Sequence, residues 1–234
     1  MATFVLVHGA WHGSWCWKRV RKALQARGHD VFTPTLTGVG ERSHLLSPEV
    51  NLKTHIDDVV NLIQGEELTD VVLCGHSYGG CVISGAADRI ADRIGALVYL
   101  DAFVLQDGQS LHDTLPPAQR ELQLELAQRH GEGWKTPPIP AEVFNVNASD
   151  REWVNRQCTM QSLATFQQPL KLTGRLDSVK NTTFILATGW NDSPFPVFNE
   201  LAKASGWKTV SVECGHDVML DRPEELTSLL LGAA

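Results

Sequence analysis

The stretch VVLCGHSYGG, Val71 to Gly80, carries an apolar run straight into a serine with a glycine two residues before it and another two residues after. A nucleophile on a sharp strand-to-helix turn has this pattern. The turn strains the backbone at the serine and lifts its hydroxyl off the sheet, and side chains at the flanking positions would collide. Gly75 and Gly79 meet that demand, and Val71 to Cys74 supplies the strand. The bland alternative is a serine that only caps a helix. The sequence around the stretch separates the two.

Upstream and downstream, strand-like and helix-like segments alternate. Strands are expected at Thr3 to Val7, Val31 to Leu36, Val71 to Cys74, Ala96 to Leu100, Thr183 to Ala187 and Val210 to Val212. Helices are expected at Ser14 to Gly28, His55 to Gly65, Tyr78 to Ile90 and Pro194 to Ser205, with a final helix opening near Pro223. In the first, Trp17, Val20 and Leu24 share a face; in the last, Leu226, Leu229 and Leu230 do. Such alternation predicts an α/β fold: a mostly parallel sheet covered by helices on both faces. Between about 105 and 180 the rhythm breaks. Pro116-Pro117 precedes a helix with Leu122 and Leu126 on one face, a proline-rich stretch follows, and a weaker helix runs from Asp150 through Trp153. We read this as an insertion over the sheet within a single domain spanning 1–234.

Composition narrows the function. The chain has 234 residues, 43% of them hydrophobic and 20% charged, which suits one globular domain with a sizeable core. A net charge of -7 without a lysine or arginine block argues against nucleic acid and anionic membranes as partners. The N-terminus lacks a basic region and a cleavage site, so it reads as a strand and not a signal peptide. No apolar run approaches the roughly 20 residues of a membrane span. Five cysteines, an odd number without a CxxC, point to reduced thiols and the cytoplasm. HExxH, P-loop and GxGxxG patterns are absent, so no metal or organic cofactor is expected. Oligomeric state, homodimer included, is left open.

A serine needs a base to take its proton. Of nine histidines, His216 follows the last strand, on the edge where loops at strand C-termini converge. The imidazole needs an acid. Asp192 follows the preceding strand and gives the order Ser, Asp, His. Its competitor is Asp101, at the end of Ala96 to Leu100. Oxyanion donors are expected from the backbone N–H of Tyr78 and from that of Ala10 or Trp11, in the HGAWHG loop after the first strand.

The segments FVLVHGAWHGSWCW, PTLTGVGERSH, GHSYGG, YLDAF and ECGHD together resemble the α/β-hydrolase superfamily. They are most similar to the branch of plant methylesterases, hydroxynitrile lyases and small bacterial, pyrethroid-hydrolase-like esterases. The resemblance covers nearly the whole chain and is weakest from about 105 to 180. It implies a triad of Ser77, Asp192 and His216, an oxyanion hole at Ala10 and Tyr78, and a helical cap. The lyases of this branch carry a threonine in the first-strand loop and a lysine after the catalytic histidine. Ala10 and Asp217 stand there instead, which favours ester hydrolysis over a C–C lyase. A receptor that kept the fold and lost turnover is the remaining alternative. Seven tryptophans suggest small to medium apolar or aromatic esters, with Trp11, His12 and Trp153 as substrate contacts. Arg42 and His44 would instead suit a polar substrate group.

Overall fold

In the computed structural model, which describes residues 1–234, the apolar runs become strands whose alternate side chains feed two separate cores. The strands are β1 (Thr3–Val7), β2 (Asp30–Phe32), β3 (Val71–His76), β4 (Ile94–Leu100), β5 (Lys135–Thr136), β6 (Gln161–Ser162), β7 (Thr182–Ala187) and β8 (Lys208–Val212). Six of them form one sheet in the order β2-β1-β3-β4-β7-β8, every pair parallel. β5 and β6 make a separate antiparallel ribbon. Val5, Val7, Leu73, Tyr99 and Phe184 enter one core, and Phe4, Leu6, Cys74, Val98 and Ile185 enter the other. This is the period-two alternation of a sheet buried on both sides.

Helix α1 (Lys18–Gln25) covers the second core through Val20 and Leu24. Helices α2 (Leu52–Gly65) and α3 (Gly79–Arg89) cover the first. α4 (Leu111–Thr114), α5 (Pro117–His130), α6 (Arg151–Gln157) and α7 (Ala164–Gln167) lie with the ribbon in the segment between β4 and β7, the expected cap. α8 (Pro196–Ala204) returns to the first core. α9 (Val218–Asp221) and α10 (Pro223–Leu231) pack against α1, with Leu226 and Leu230 buried.

Several boundaries moved for physical reasons. β2 ends at Phe32, not Leu36: Pro34 has no N–H for a ladder, and the Leu36 N–H donates to His8 Nε2 instead. α2 starts at Leu52, not His55, because Asn51 caps it by accepting the Thr54 N–H at 3.1 Å. The face carrying Leu122 does not reach the core. Leu122 is 54% exposed, and only Ala127 of α5 is buried.

β1 sits at the switch point, with β2 on one side and β3 on the other. The crevice at the carboxyl ends of β1 and β3 is therefore where a doubly wound sheet binds ligands. The turn from β3 into α3 leaves no room beside Ser77. A Cβ on Gly75 would lie 2.5 Å from the Gly79 carbonyl oxygen, and one on Gly79 would lie 2.8 Å from the carbonyls of Val7 and His8. Backbone, not a movable side chain, is what each would meet. Gly75→Ala is therefore expected to lose more than about 2 kcal/mol of stability or to fail to fold. Urea unfolding followed by circular dichroism measures it; an unchanged midpoint would contradict this packing.

Candidate active site

Ser77 is where the β3 ladder must stop and α3 must begin. Its φ is 54°, in the left-handed region that side chains rarely adopt. Backbone bonds hold that conformation: the Ser77 N–H donates to Leu100 O, and the Ser77 carbonyl accepts from Gly80 and Phe103. The next residue anchors the turn. Tyr78 is buried and its hydroxyl donates to His55 Nδ1 at 2.9 Å, while His55 Nε2–H donates to Thr37 O. Burial lowers the His55 pKa to about 4, so that imidazole is neutral and can accept. Ser77 stays partly exposed while its neighbours His76 and Tyr78 are buried.

The structure sets Asp101, and not the expected Asp192, beside the imidazole. His216 Nδ1 donates to Asp101 Oδ2 at 2.7 Å, in the ladder-end position after β4. Asp192 is exposed, and its carboxylate has no bond to His216. The reason lies in the loop after β7. Thr188 and Gly189 donate to Val212 and Cys214, which carries the chain along β8. Trp190 and Phe195 then fill the space beside the imidazole, at 5.0 and 5.1 Å between ring centroids, Phe195 stacked flat. Asp192 is left outside that packing. Asp101 occupies the end of β4, between β3 and β7, where no loop need reach inward. Its other contacts fix it: Ala187 N–H donates to Oδ1, and Trp190 Nε1–H to Oδ2. Burial pushes the Asp101 carboxyl up, against the pull of His216 and of these two N–H donors. Since a carboxylate only accepts, His216 carries a hydrogen on Nδ1, and the neutral form of the ring therefore has its lone pair on Nε2.

The loop after β1 faces Ser77 across the crevice. Gly9, Ala10, Trp11, His12, Ser77 and His216, with His76 and Phe144, enclose one cavity of about 10 Å³. That is near the least volume that holds a single water. Of the two expected oxyanion donors, Ala10 lines it and Tyr78 directly follows Ser77 in the chain; neither N–H has an acceptor within the protein. The Trp11 N–H, the alternative donor, is taken by Gln161 Oε1 at 2.8 Å. His8 orients the Gly9–Ala10 peptide. Its Nε2 accepts from Leu36, so its Nδ1–H donates to Gly9 O at 2.7 Å. Burial takes the His8 pKa down to about 3, so the ring stays neutral.

The substrate contacts divide. Trp11 lines the cavity and bridges to the cap, its Nε1–H donating to Thr136 O. His12 lines it too, but both ring nitrogens are engaged by protein: Nδ1 with Ala10 O and Nε2 with Asp217 Oδ2. Trp153 is corrected. It packs edge-on against Trp15 and does not line the cavity. Arg42 turns to Thr35 O and Asp58, and His44 is exposed. Sequence reasoning missed Asp217, Gln161, Phe144 and Phe195. The signal for Asp217 was its place between His216 and the apolar run Val218–Leu220, where a carboxylate must be buried and needs a partner. His76, His216 and Asp217 bring ligand atoms within 4.8 Å of one another. Internal bonds already engage them: His216 with Asp101, Asp217 with His12, and His76 Nε2–H with His216 O. A larger cavity, of about 320 Å³, opens beside Thr182 and Trp207 at the starts of β7 and β8 and has no histidine in its lining.

Residues 4–229 match the family described as the alpha/beta hydrolase family. The chain belongs to that family. It is 52% identical over 241 residues to the carbendazim hydrolyzing esterase of Nocardioides sp. (strain SG-4G), with 98% of each chain covered. Methylesterase 7 of Arabidopsis thaliana is 36% identical over 103 residues, 43% of this chain and 40% of that one. Among solved structures, an extracellular α/β-hydrolase from a Paenibacillus species superposes with a TM-score of 0.88 at 23% identity, covering 100% of this chain and 99% of that one. A pyrethroid hydrolase from Sphingobium faniae JZ-2 gives 0.77 at 23% identity, covering 99% and 96%. The chain is thus an ester hydrolase on the α/β-hydrolase fold, as the sequence resemblance implied.

The exchange of acids can be tested directly. Asp101→Asn is expected to lower kcat by about 10³- to 10⁴-fold, because the imidazole loses the partner that sets its tautomer. Asp192→Asn should stay within about two-fold, the range of an exposed side chain remote from the reacting atoms. Steady-state hydrolysis of a p-nitrophenyl ester by both variants measures the contrast, and the reverse pattern would return the role to Asp192.

Proposed function

We propose that this ester hydrolase works through an acyl-enzyme on Ser77 and takes small to medium, apolar or aromatic carboxylic esters. The observation that carries the reading is the convergence of Ser77, His216 and Ala10 on one cavity, with the unpaired Tyr78 N–H next to Ser77 in the chain and Asp101 behind the imidazole. Ser77 Oγ attacks the ester carbonyl as His216 Nε2 takes its proton. The carbonyl oxygen becomes an oxyanion facing the Ala10 and Tyr78 N–H groups. Collapse breaks the bond to the alcohol, which leaves with the proton from His216. A water then repeats the sequence, giving the acid and restoring Ser77. Removal of one such oxyanion donor typically costs about 10²- to 10³-fold in kcat.

Aromatic and aliphatic side chains support the substrate class. Trp11 and Phe144 wall the cavity, and no unpaired charged side chain does. The relative from Nocardioides is named for hydrolysing carbendazim, and we carry over only the preference for a compact substrate of that kind. The cavity is small, about 10 Å³, and an ester seated at Ser77 would extend from it past Trp11 and Phe144. Where the lyases have a cation, Asp217 is buried against His12, so no positive side chain is free there for a leaving cyanide. All five cysteines are unpaired, which supports a reducing compartment such as the cytoplasm; no helix is long and apolar enough to cross a membrane.

A panel of p-nitrophenyl and aromatic esters, set against charged short-chain acyl esters, tests both parts. Wild type is expected to favour the apolar and aromatic members, and Ser77→Ala to lose several powers of ten in kcat, leaving the residual rate of binding and oxyanion contacts. Normal turnover by Ser77→Ala would end the acyl-enzyme reading. A preference for the charged esters would end the apolar one.

A further inference from the structure

His12 sits where two oxygen acceptors face its two ring nitrogens. Ala10 O lies 2.7 Å from Nδ1, and Asp217 Oδ2 lies 3.1 Å from Nε2. A carbonyl and a carboxylate oxygen accept and do not donate, so both nitrogens carry hydrogen and the ring is an imidazolium. Both partners are buried, His12 at 3% exposure and Asp217 at 0%. The other groups around the ring are Trp15, stacked at 4.9 Å, His76, edge-on at 6.2 Å, and Cys158, its sulfur 4.0 Å from Nδ1. Burial disfavours the charge on His12, but Cys158 and Asp217 outweigh it and hold the ring well above the usual histidine range. Burial likewise opposes ionisation of Asp217, while His12, His76 and His216 hold its carboxyl well below the usual carboxylate range.

The Ala10 carbonyl belongs to the Ala10–Trp11 peptide. The N–H at the other end of that peptide is the one Gln161 holds. Trp11 itself stands at a φ of 62°, a strained value that a free loop would relax. The Ala10 N–H lies in the adjoining Gly9–Ala10 peptide, whose carbonyl His8 holds; the two peptides meet at the Ala10 Cα, so a shift of Ala10 O displaces that Cα and the N–H it carries. Asp217 also directly follows His216 in the chain, so one ion pair ties the oxyanion loop to the loop of the base.

We propose that His12, gripped by Asp217, is a positioning residue that pins the Ala10 carbonyl, so that the Ala10 Cα, and with it the N–H that His8 steadies through Gly9 O, stays at the oxyanion position. This rests on the acyl-enzyme reading. It assigns His12 to the transition state through Ala10, not to substrate binding.

Two double variants isolate the Nδ1–H bond without leaving a buried charge unpaired. His12→Leu with Asp217→Asn removes the donor to Ala10 O; His12→Asn with Asp217→Asn keeps an amide donor near the Nδ1 position. The readouts are kcat, KM and inhibition by an aryl trifluoromethyl ketone, which forms an anionic hemiketal on a reactive serine and so samples the oxyanion site. The leucine double is expected to lose about ten-fold or more in kcat and in ketone affinity with KM within about three-fold, a fraction of the effect of deleting an oxyanion donor outright. The asparagine double should recover most of that loss. Equal ketone affinity in the two folded doubles and the wild type overturns the proposal, as does equal loss in both. A wild type that the ketone does not inhibit removes the acyl-enzyme reading, and this inference with it; inhibition that ignores residue 12 removes this inference alone. Should the doubles not fold, ¹⁵N-histidine NMR of the wild type decides. His12 should carry hydrogen on both nitrogens up to pH 8, and an unprotonated Nδ1 refutes the proposal.

Discussion

The hydrogen bond from His216 to Asp101 is the constraint on which the rest of the site depends. It joins the end of β4 to the loop after β8, so it closes only if the sheet order and the strand registers are as observed. Both groups are buried, and removal of one partner leaves the other unsatisfied, at a cost of about 1–3 kcal/mol. Asp101 is therefore held by several bonds at once, from Ala187, Trp190 and its own backbone N–H to Ile185 O. The same bond decides which nitrogen of His216 keeps a lone pair.

Around that contact the chain accepts strain where chemistry needs it. Trp11, Ser77 and Asp101 follow β1, β3 and β4, and each has a positive φ without being glycine. Conformations of this kind cost about 1–3 kcal/mol apiece and persist only where the surroundings over-determine them. Here the surroundings are two cores, one on each face of the sheet, and buried imidazoles in opposite states. His8 and His55 are neutral and serve as relays to backbone and hydroxyl groups. His12 is charged and paired. Away from the site, α5 is lightly packed and buries a single residue, Ala127.

Much of this was legible in the sequence because it depends on local pattern. The strands followed from apolar alternation, and the tight strand-to-helix turn at Ser77 followed from glycines at fixed offsets from it. His216 followed from its place after the last strand. The acid was harder, because topology delivers two candidates to the same edge, one after β4 and one after β7. Local cues favoured Asp192, in a polar loop of fitting order. What excluded it was the packing of Trp190 and Phe195 against His216, a contact between residues far apart in the chain. Trp153 failed for a similar reason: its helix places it on Trp15, outside the cavity. The pairing of His12 with Asp217 spans 205 positions and leaves no periodic trace.

The most direct measurement is the low-field proton NMR spectrum, where an imidazole N–H bonded to a buried carboxylate resonates apart from other protons. The wild type should show such a signal for His216 Nδ1–H; Asp192→Ala should keep it, and a folded Asp101→Ala should lose it. A signal that survives Asp101→Ala and vanishes in Asp192→Ala would contradict the account.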